Sequence, residues 1–373
     1  MTEEKKNVYS ICTKQLTVGY DRIPLIRDVN LSVRPGEILT LIGPNGSGKS
    51  TILKTITRQL KKLGGAVYIG EKAADDMKDH EIAMELSMVM TERVRTELMT
   101  GREVVASGRY PYTGRLGILS EGDWQKVDEA IALVHAEAAA KQDFSKISDG
   151  QRQRLMLARA ICQDTQILIL DEPTSYLDMG FKQDILSNIR MLAQEKHMAV
   201  IMSLHELDLA EKISDRIACV KGDQIDRAGT PEEIFTGSYI QELYGVEIQS
   251  FDPLTGQMFL PAKKQAPEVF VIGGGGSGIP IYNRLQRENI SFAAGILQEN
   301  DLEFSAACAL ATEVIWEQAF YPVREETLEQ AKKLIDQCKR CICAVTRFGP
   351  YNEACRQLAE YARMTGKLGK ELK

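Results

Sequence analysis

The chain has 373 residues, 44% of them apolar and 26% charged, with a formal net charge of −6. At roughly 150 residues per domain this describes about two globular domains, long enough to bury a real core. The acidic balance excludes a general affinity for DNA, RNA or anionic lipid, so no nucleic acid is expected as a partner. No stretch approaches the ~18 apolar residues needed to cross a bilayer.

The opening MTEEKKNVYS mixes acids and bases without an apolar core and does not read as a secretory signal. The first 30 residues alternate apolar and polar, as in Gln15-Leu16-Thr17-Val18, which predicts antiparallel strands. A short apolar strand follows over 38–42. It runs into a glycine-rich loop and a helix from about Lys49. Residues 76–146 read as mainly helical, broken at Pro111, Gly114, Gly117 and Gly122. Buried strands are expected at 167–170 and 199–203. Buried strands alternating with helices indicate an α/β fold with a mostly parallel sheet. A hairpin is expected around 246–260, then a linker at 263–267. The first domain is therefore placed at 1–262 and a second, smaller α/β domain at 268–373.

Gly43-Pro44-Asn45-Gly46-Ser47-Gly48-Lys49-Ser50 fits G-x-x-x-x-G-K-[ST] between a predicted strand and a predicted helix. Glycines let the backbone curl so that several N–H groups point at one anion, and the helix N-terminus adds partial positive charge. Lys49 is placed to reach the β- and γ-phosphates, and Ser50 to offer a hydroxyl to Mg²⁺; Thr51 follows in the same loop–helix turn. Further on, Ile167-Leu168-Ile169-Leu170-Asp171-Glu172 is an apolar strand ending in two carboxylates. Two acids after a strand are, in isolation, an ordinary solvated loop. With a phosphate loop upstream, Asp171 is placed to hold Mg²⁺ and Glu172 to orient and deprotonate an attacking water.

Ser148-Asp149-Gly150-Gln151-Arg152-Gln153-Arg154 resembles the signature of the ABC ATPases, usually written LSGGQ. With Pro173-Thr174-Ser175-Tyr176-Leu177-Asp178 and His205, it makes residues 8 to about 262 similar to that family. The resemblance implies a P-loop ABC ATPase domain, with a mixed sheet and a helical subdomain, that binds ATP and Mg²⁺. It implies that Tyr20 stacks on adenine. The loop Ser148, Asp149, Gly150 and Gln151 is implied to meet ATP held by the opposite subunit, Ser148 and Gly150 at its γ-phosphate. Asp178 is implied to link the two sites across a dimer, and His205 to contact the γ-phosphate and position the water.

Two positions depart from the family pattern. Asp149 replaces the second glycine of the signature, which aspartate's tolerance of unusual backbone angles would accommodate. Where the family places a glutamine at Mg²⁺, this chain has Leu86-Ser87-Met88-Val89-Met90-Thr91-Glu92; either Thr91 or Glu92 offers the oxygen.

One phosphate loop and one signature per chain make two half-sites, so a head-to-tail homodimer is expected. The segment Gly108-Arg109-Tyr110-Pro111-Tyr112-Thr113-Gly114-Arg115-Leu116-Gly117 is similar to importers of ferric siderophores, haem and cobalamin. That implies a peripheral subunit on the cytoplasmic face of the membrane. Its partners would be integral-membrane permease subunits and, indirectly, a substrate-binding protein. A soluble ABC ATPase of DNA repair or the ribosome, and an exporter ATPase, are the competing readings.

In the second domain, Val269-Phe270-Val271-Ile272 precedes Gly273-Gly274-Gly275-Gly276-Ser277-Gly278, where Gly273, Gly275 and Gly278 satisfy G-x-G-x-x-G. Further strands are expected at 292–297, 314–316 and 342–345, which makes a small Rossmann-like unit. Its loop reads either as a site for a phosphate-bearing or other anionic ligand, or as a tight strand-to-helix turn. In the first case Glu299 stands where a ribose-binding acid would. A regulatory sensor and a dimerisation module are both open. The eight cysteines (Cys12, Cys162, Cys219, Cys308, Cys338, Cys341, Cys343 and Cys355) match no trusted zinc spacing and are expected as free thiols of a reducing compartment.

Overall fold

The computed structural model describes residues 9–90, 98–114, 117–175, 177–246, 259–260 and 265–369. The chain divides into two compact units, Met1–Tyr244 and Gly245–Lys373. The division falls ahead of the linker expected at 263–267. Most of the expected hairpin, 247–258, lies outside the described residues, as do 261–264, Thr91 and Glu92.

The first unit is built on a six-stranded sheet in the order Gln224–Gly229, Arg216–Lys221, Ile38–Ile42, Ala199–Ser203, Ile167–Asp171, Leu86–Val89. All neighbours are parallel except the Gln224–Gly229 edge, which pairs antiparallel with Arg216–Lys221. The three central strands are buried along their whole length. This is why they read as unbroken apolar runs rather than alternating ones. A second, antiparallel sheet carries Ile23–Val29, Ile11–Tyr20, Gly64–Ile69 and Lys72–Ala73. Its apolar side shares one core with the parallel sheet, in which Leu16, Val18 and Ile26 join Leu39, Leu41 and Ile169.

The segment expected to be helical from 76 to 146 is interrupted by a strand, Leu86–Val89. It pairs in parallel with Ile167–Leu170. Four residues with no strong local preference become an edge strand because the neighbouring strand supplies the hydrogen bonds. Helices Gly101–Ala106, Glu121–Leu133 and Glu137–Ala140 then pack around the long helix Asp149–Cys162.

The second unit is a four-stranded, wholly parallel sheet in the order Glu313–Glu317, Phe292–Gln298, Val269–Ile272, Arg340–Cys343. Its last strand starts two residues earlier than the expected 342. Helices Ile279–Arg287 and Phe304–Leu310 contribute to one apolar cluster, and helices Glu325–Gln337 and Glu353–Met364 to another. Sheet order and flanking helices make a small doubly wound unit.

Candidate active site

The phosphate loop leaves strand Ile38–Ile42 and enters helix Lys49–Ile56. Its glycines are sterically required. Gly43 has φ 146°, and a Cβ there would stand 2.3 Å from the Val220 carbonyl oxygen; Gly48 has φ 96° and caps the helix against Ile26. Asn45 and Gly46 are exposed at the tip. Lys49 is buried, and its Nζ donates to the carbonyls of Gly43 (2.8 Å) and Pro44 (3.0 Å). Burial pulls its ammonium below the ordinary lysine range, against the opposing pull of Glu172 and Asp171. The Ser47 Oγ is buried without a hydrogen-bond partner. An orphaned hydroxyl beside a curled, glycine-lined backbone suits a phosphate.

The strand Ala199–Ser203 lies between the loop's strand and the strand carrying the acids. That placement makes Ser203, which sequence reasoning missed, the bridge of the site. Its Oγ donates to Asp171 Oδ1 (2.7 Å) and accepts from the Glu172 N–H (3.0 Å). Ser50 Oγ donates to the same Asp171 oxygen at 2.9 Å. Hydroxyl and carboxylate together form the hard-oxygen donor pair that Mg²⁺ prefers when it also holds substrate phosphates. No cluster of three His, Cys, Asp or Glu capable of holding a metal occurs among the described residues.

Glu172 sits at φ 50°, in the left-handed region, which costs a non-glycine residue about 1–2 kcal/mol. Three contacts hold it there: Ser203 on its N–H, Ser175 Oγ donating to Oε2 at 2.9 Å, and His205 Nε2 on Oε1 at 2.5 Å. With Glu172 ionised, the His205 ring nitrogen is the donor. Glu206, the next residue, accepts from Thr174 Oγ1 (2.9 Å) and Lys182 Nζ (2.6 Å). It thereby ties the histidine loop to the segment after the acids and to helix Met179–Lys196. Sequence reasoning also missed Tyr244, whose hydroxyl accepts from the Gly43 N–H at 3.1 Å; burial pushes its phenol up to about 12.

Tyr20 ends strand Ile11–Tyr20 with 49% of its surface exposed, and its hydroxyl lies 3.3 Å from Thr51 Oγ1. Ser148 caps helix Asp149–Cys162 and exchanges hydrogen bonds with Gln151. Asp149 occupies the first helical position with an ordinary backbone, so the angular tolerance invoked for it is not used. Its carboxylate is paired with Arg152 at 2.8 Å. Gln153 Nε2 donates to the Pro173 carbonyl at 3.3 Å, joining the signature helix to the acidic segment. Asp178 caps helix Met179–Lys196 through the Phe181 N–H. Both tyrosines of the aromatic pair are exposed, Tyr110 the more so; Tyr112 is held on one side, where Arg109, buried against Asp123, stacks on its ring, and its hydroxyl donates to the Gln163 carbonyl.

The second glycine loop is differently occupied. The Gly275 N–H donates to both Asp301 oxygens (3.0 and 2.9 Å), and the Gly278 N–H to Glu303 Oε2 at 2.6 Å. Tyr282 donates to the other Glu303 oxygen at 2.9 Å. Glu303 is fully buried, which pushes its carboxyl above the ordinary range despite its donors, the Gly278 and Gly274 N–H groups and the Tyr282 hydroxyl. A Cβ on Gly273 would stand 1.9 Å from Glu303 Oε1 and one on Gly278 2.7 Å. These glycines make room for a carboxylate of the chain itself. Glu299 is exposed, and its backbone N–H pairs with the Glu317 carbonyl. The acids that face the loop are Asp301 and Glu303. The described cysteines are free, and burial pushes Cys162, Cys341 and Cys355 to about 12.

No described helix is long and apolar enough to cross a membrane. The family model described as "ABC transporter" matches residues 26–175, and that of the MJ0874 family matches residues 292–368. The chain is 40% identical over 288 residues to the uncharacterized ABC transporter ATP-binding protein MJ0873 of Methanocaldococcus jannaschii, spanning 76% of this chain and 99% of that protein. It is 33% identical over 249 residues to the iron(3+)-hydroxamate import ATP-binding protein FhuC of Bacillus subtilis, covering 66% and 93%. Among solved structures, the dimeric post-hydrolysis ATP-binding cassette MJ0796 bound to ADP and Pi matches with a TM-score of 0.53 at 27% identity, over 59% of this chain and 98% of that one. The chain belongs to the ABC transporter ATP-binding proteins and is an ATPase.

Proposed function

We propose that two copies of this chain close on ATP and drive uptake of a metal chelate, such as a ferric siderophore, haem or cobalamin, through separate permease subunits. The observation that carries the catalytic part is one connected set of side chains. Ser50 and Asp171 share a hydrogen bond at the phosphate loop, and the adjacent Glu172 is held by His205 and Ser203. Lys49, the loop N–H groups and Ser47 hold the phosphates, and Tyr20 offers its exposed ring to the adenine. Mg²⁺ at Ser50 and Asp171 supplies charge neutralisation for the leaving phosphates. Glu172 takes the proton of the attacking water, and His205 fixes its carboxylate and meets the γ-phosphate.

Ser148 and Gly150 complete the site from the twin copy, and Asp178 lies at the seam. The named import role of the Bacillus subtilis relative and the 108–117 segment support the importer reading; the permease and the peripheral membrane location follow from it.

The test is Glu172→Gln. It keeps the loop that binds ATP but removes the base. Hydrolysis should fall about 10²–10⁴-fold, and an ATP-dependent dimer should persist in size-exclusion chromatography. Wild-type phosphate release from that variant, or a chain that turns over ATP at full rate as a monomer, overturns the reading.

A further inference from the structure

The second unit has a crevice that the ATPase reading does not use. It lies at the C-terminal ends of its parallel strands, between the turn after Val269–Ile272 and the segment after Arg340–Cys343. Strand order changes direction at this point. The chain runs from Val269–Ile272 outward through Phe292–Gln298 to Glu313–Glu317, then returns to place Arg340–Cys343 on the other side. Such switch points are where open α/β sheets bind ligands. The crevice holds about 430 Å³, within the range of small-molecule sites.

Its charge decides what it can accept. Among the described lining residues none is Lys, Arg or His, and the one charged side chain is Asp301. The loop N–H groups of Gly275 and Gly278, which would otherwise meet a phosphate, already donate to Asp301 and Glu303. A phosphorylated ligand would face an acid with no counter-charge. Asp301 is fixed rather than free. Gly275 N–H reaches both of its oxygens, and the Glu303 N–H reaches Oδ1 at 3.0 Å. A carboxylate has about four acceptor positions, so Oδ2 keeps capacity for a hydroxyl donor. Asp301 stands three residues beyond the second strand, close to where a ribose-binding acid acts in this fold. The remaining wall is mixed: Ile296, Val323 and Val345 are aliphatic, Gln298, Asn300 and Asn352 carry amides that can meet the polar edge of a ligand, and Tyr351 offers a fully exposed ring at the rim.

We propose that this crevice binds an unphosphorylated nucleoside, with Asp301 Oδ2 accepting from one ribose hydroxyl and the base lying between the aliphatic side chains of the wall and Tyr351. With the Gly275 and Gly278 N–H groups occupied and an acid beside them, the phosphorylated forms of the same compound are disfavoured. The site thus distinguishes a nucleoside from the ATP that the first unit consumes.

The test is equilibrium dialysis of the full chain with tritiated adenosine, guanosine, cytidine and uridine. Saturating ATP and Mg²⁺ are present to keep nucleosides out of the first unit. One nucleoside should bind at one per chain. Its 5′-monophosphate should bind at least ~10-fold more weakly, since two like charges a few ångströms apart repel by more than about 1.4 kcal/mol at intermediate dielectric. Its 2′-deoxy form should also be weaker. Asp301→Ala and the wall-filling Val345→Trp should each remove binding. The nucleoside-to-monophosphate ratio needs no variant, so a misfolded mutant cannot hide the answer. Equal or tighter binding of the monophosphate overturns the proposal. So does binding by none of the four nucleosides, or retention of binding in both variants.

Discussion

Two glycine loops in this chain follow a buried parallel strand and lead into a helix, and they have opposite fillings. At 43–50 the curled backbone lies against a buried Lys49, with carboxylates set beyond the lysine at Asp171 and Glu172; the buried, partnerless Ser47 hydroxyl of this loop has a counterpart in Ser277 of the second. At 273–278 the chain's own Asp301 and Glu303 occupy the N–H groups, and no lysine follows. The first fits the proposed role of a cradle for an anion brought from outside. The second is a cradle closed over an internal one. Glycine spacing therefore reports that a backbone must turn tightly or let something approach closely. It does not report what approaches.

The contrast can be broken at its strongest point with Lys49→Ala. That change should weaken ATP binding by about 100-fold or more, the scale of one lost oxyanion-type contact, as read by titration of a fluorescent ATP analogue. Unchanged affinity would remove the distinction between the loops.

The complementary change is Gly273→Ala. Its new methyl group would collide with Glu303, and the second unit should lose about 3 kcal/mol as a buried hydrogen-bonded cluster is pushed apart. Hydrogen exchange over peptides from 268–345 would reveal it, with ATP hydrolysis by the first unit as the control. An unperturbed exchange profile would mean that the loop is not packed on Glu303.

Ser203→Ala tests the bridge between the cradle's strand and the acids. It should lower kcat about 10-fold with little change in KM, because it releases the Glu172 backbone and one Asp171 oxygen without touching the phosphate loop. A KM-only effect would argue that Ser203 acts on binding.

The smallest effect concerns pH. Burial raises the Glu303 carboxyl above its ordinary value, so between the unfolded and folded values the folded unit holds the extra proton. Its contribution is fully present below the unfolded value, near 4.5, and declines as pH rises toward the raised folded one. Glu303→Gln should flatten that part of the urea-midpoint profile. A slope identical in both proteins would assign the titration elsewhere.

Much of the first unit was legible because its information is contiguous. The loop 43–50 carries its own glycines, lysine and serine, and the runs 38–42 and 199–203 match the observed strands residue for residue. The acids Asp171 and Glu172 were found because they end such a run. The ties between these pieces were not legible. Ser203 looks like the end of an apolar strand until that strand is known to lie between the other two. Glu206 and Tyr244 join the site from separate segments. Asp149 was read by its residue type as a special backbone position, yet a helix start and Arg152 give it an ordinary one. Counting about 20 residues from Gly278 chose Glu299, whereas the path of the chain after Gln298 turns Asp301 and Glu303 back onto the loop.

The residues alone determined that a glycine-rich loop ending in lysine and serine, a pair of strand-end acids and a signature-like segment exist, and that a second α/β unit follows. These are local matters of backbone freedom, periodicity and short spacing. Only the tertiary structure decided which carboxylate faces which loop. Strand order brings together groups separated by 32 to 121 positions, and short-range electrostatics depends on that meeting rather than on spacing along the chain.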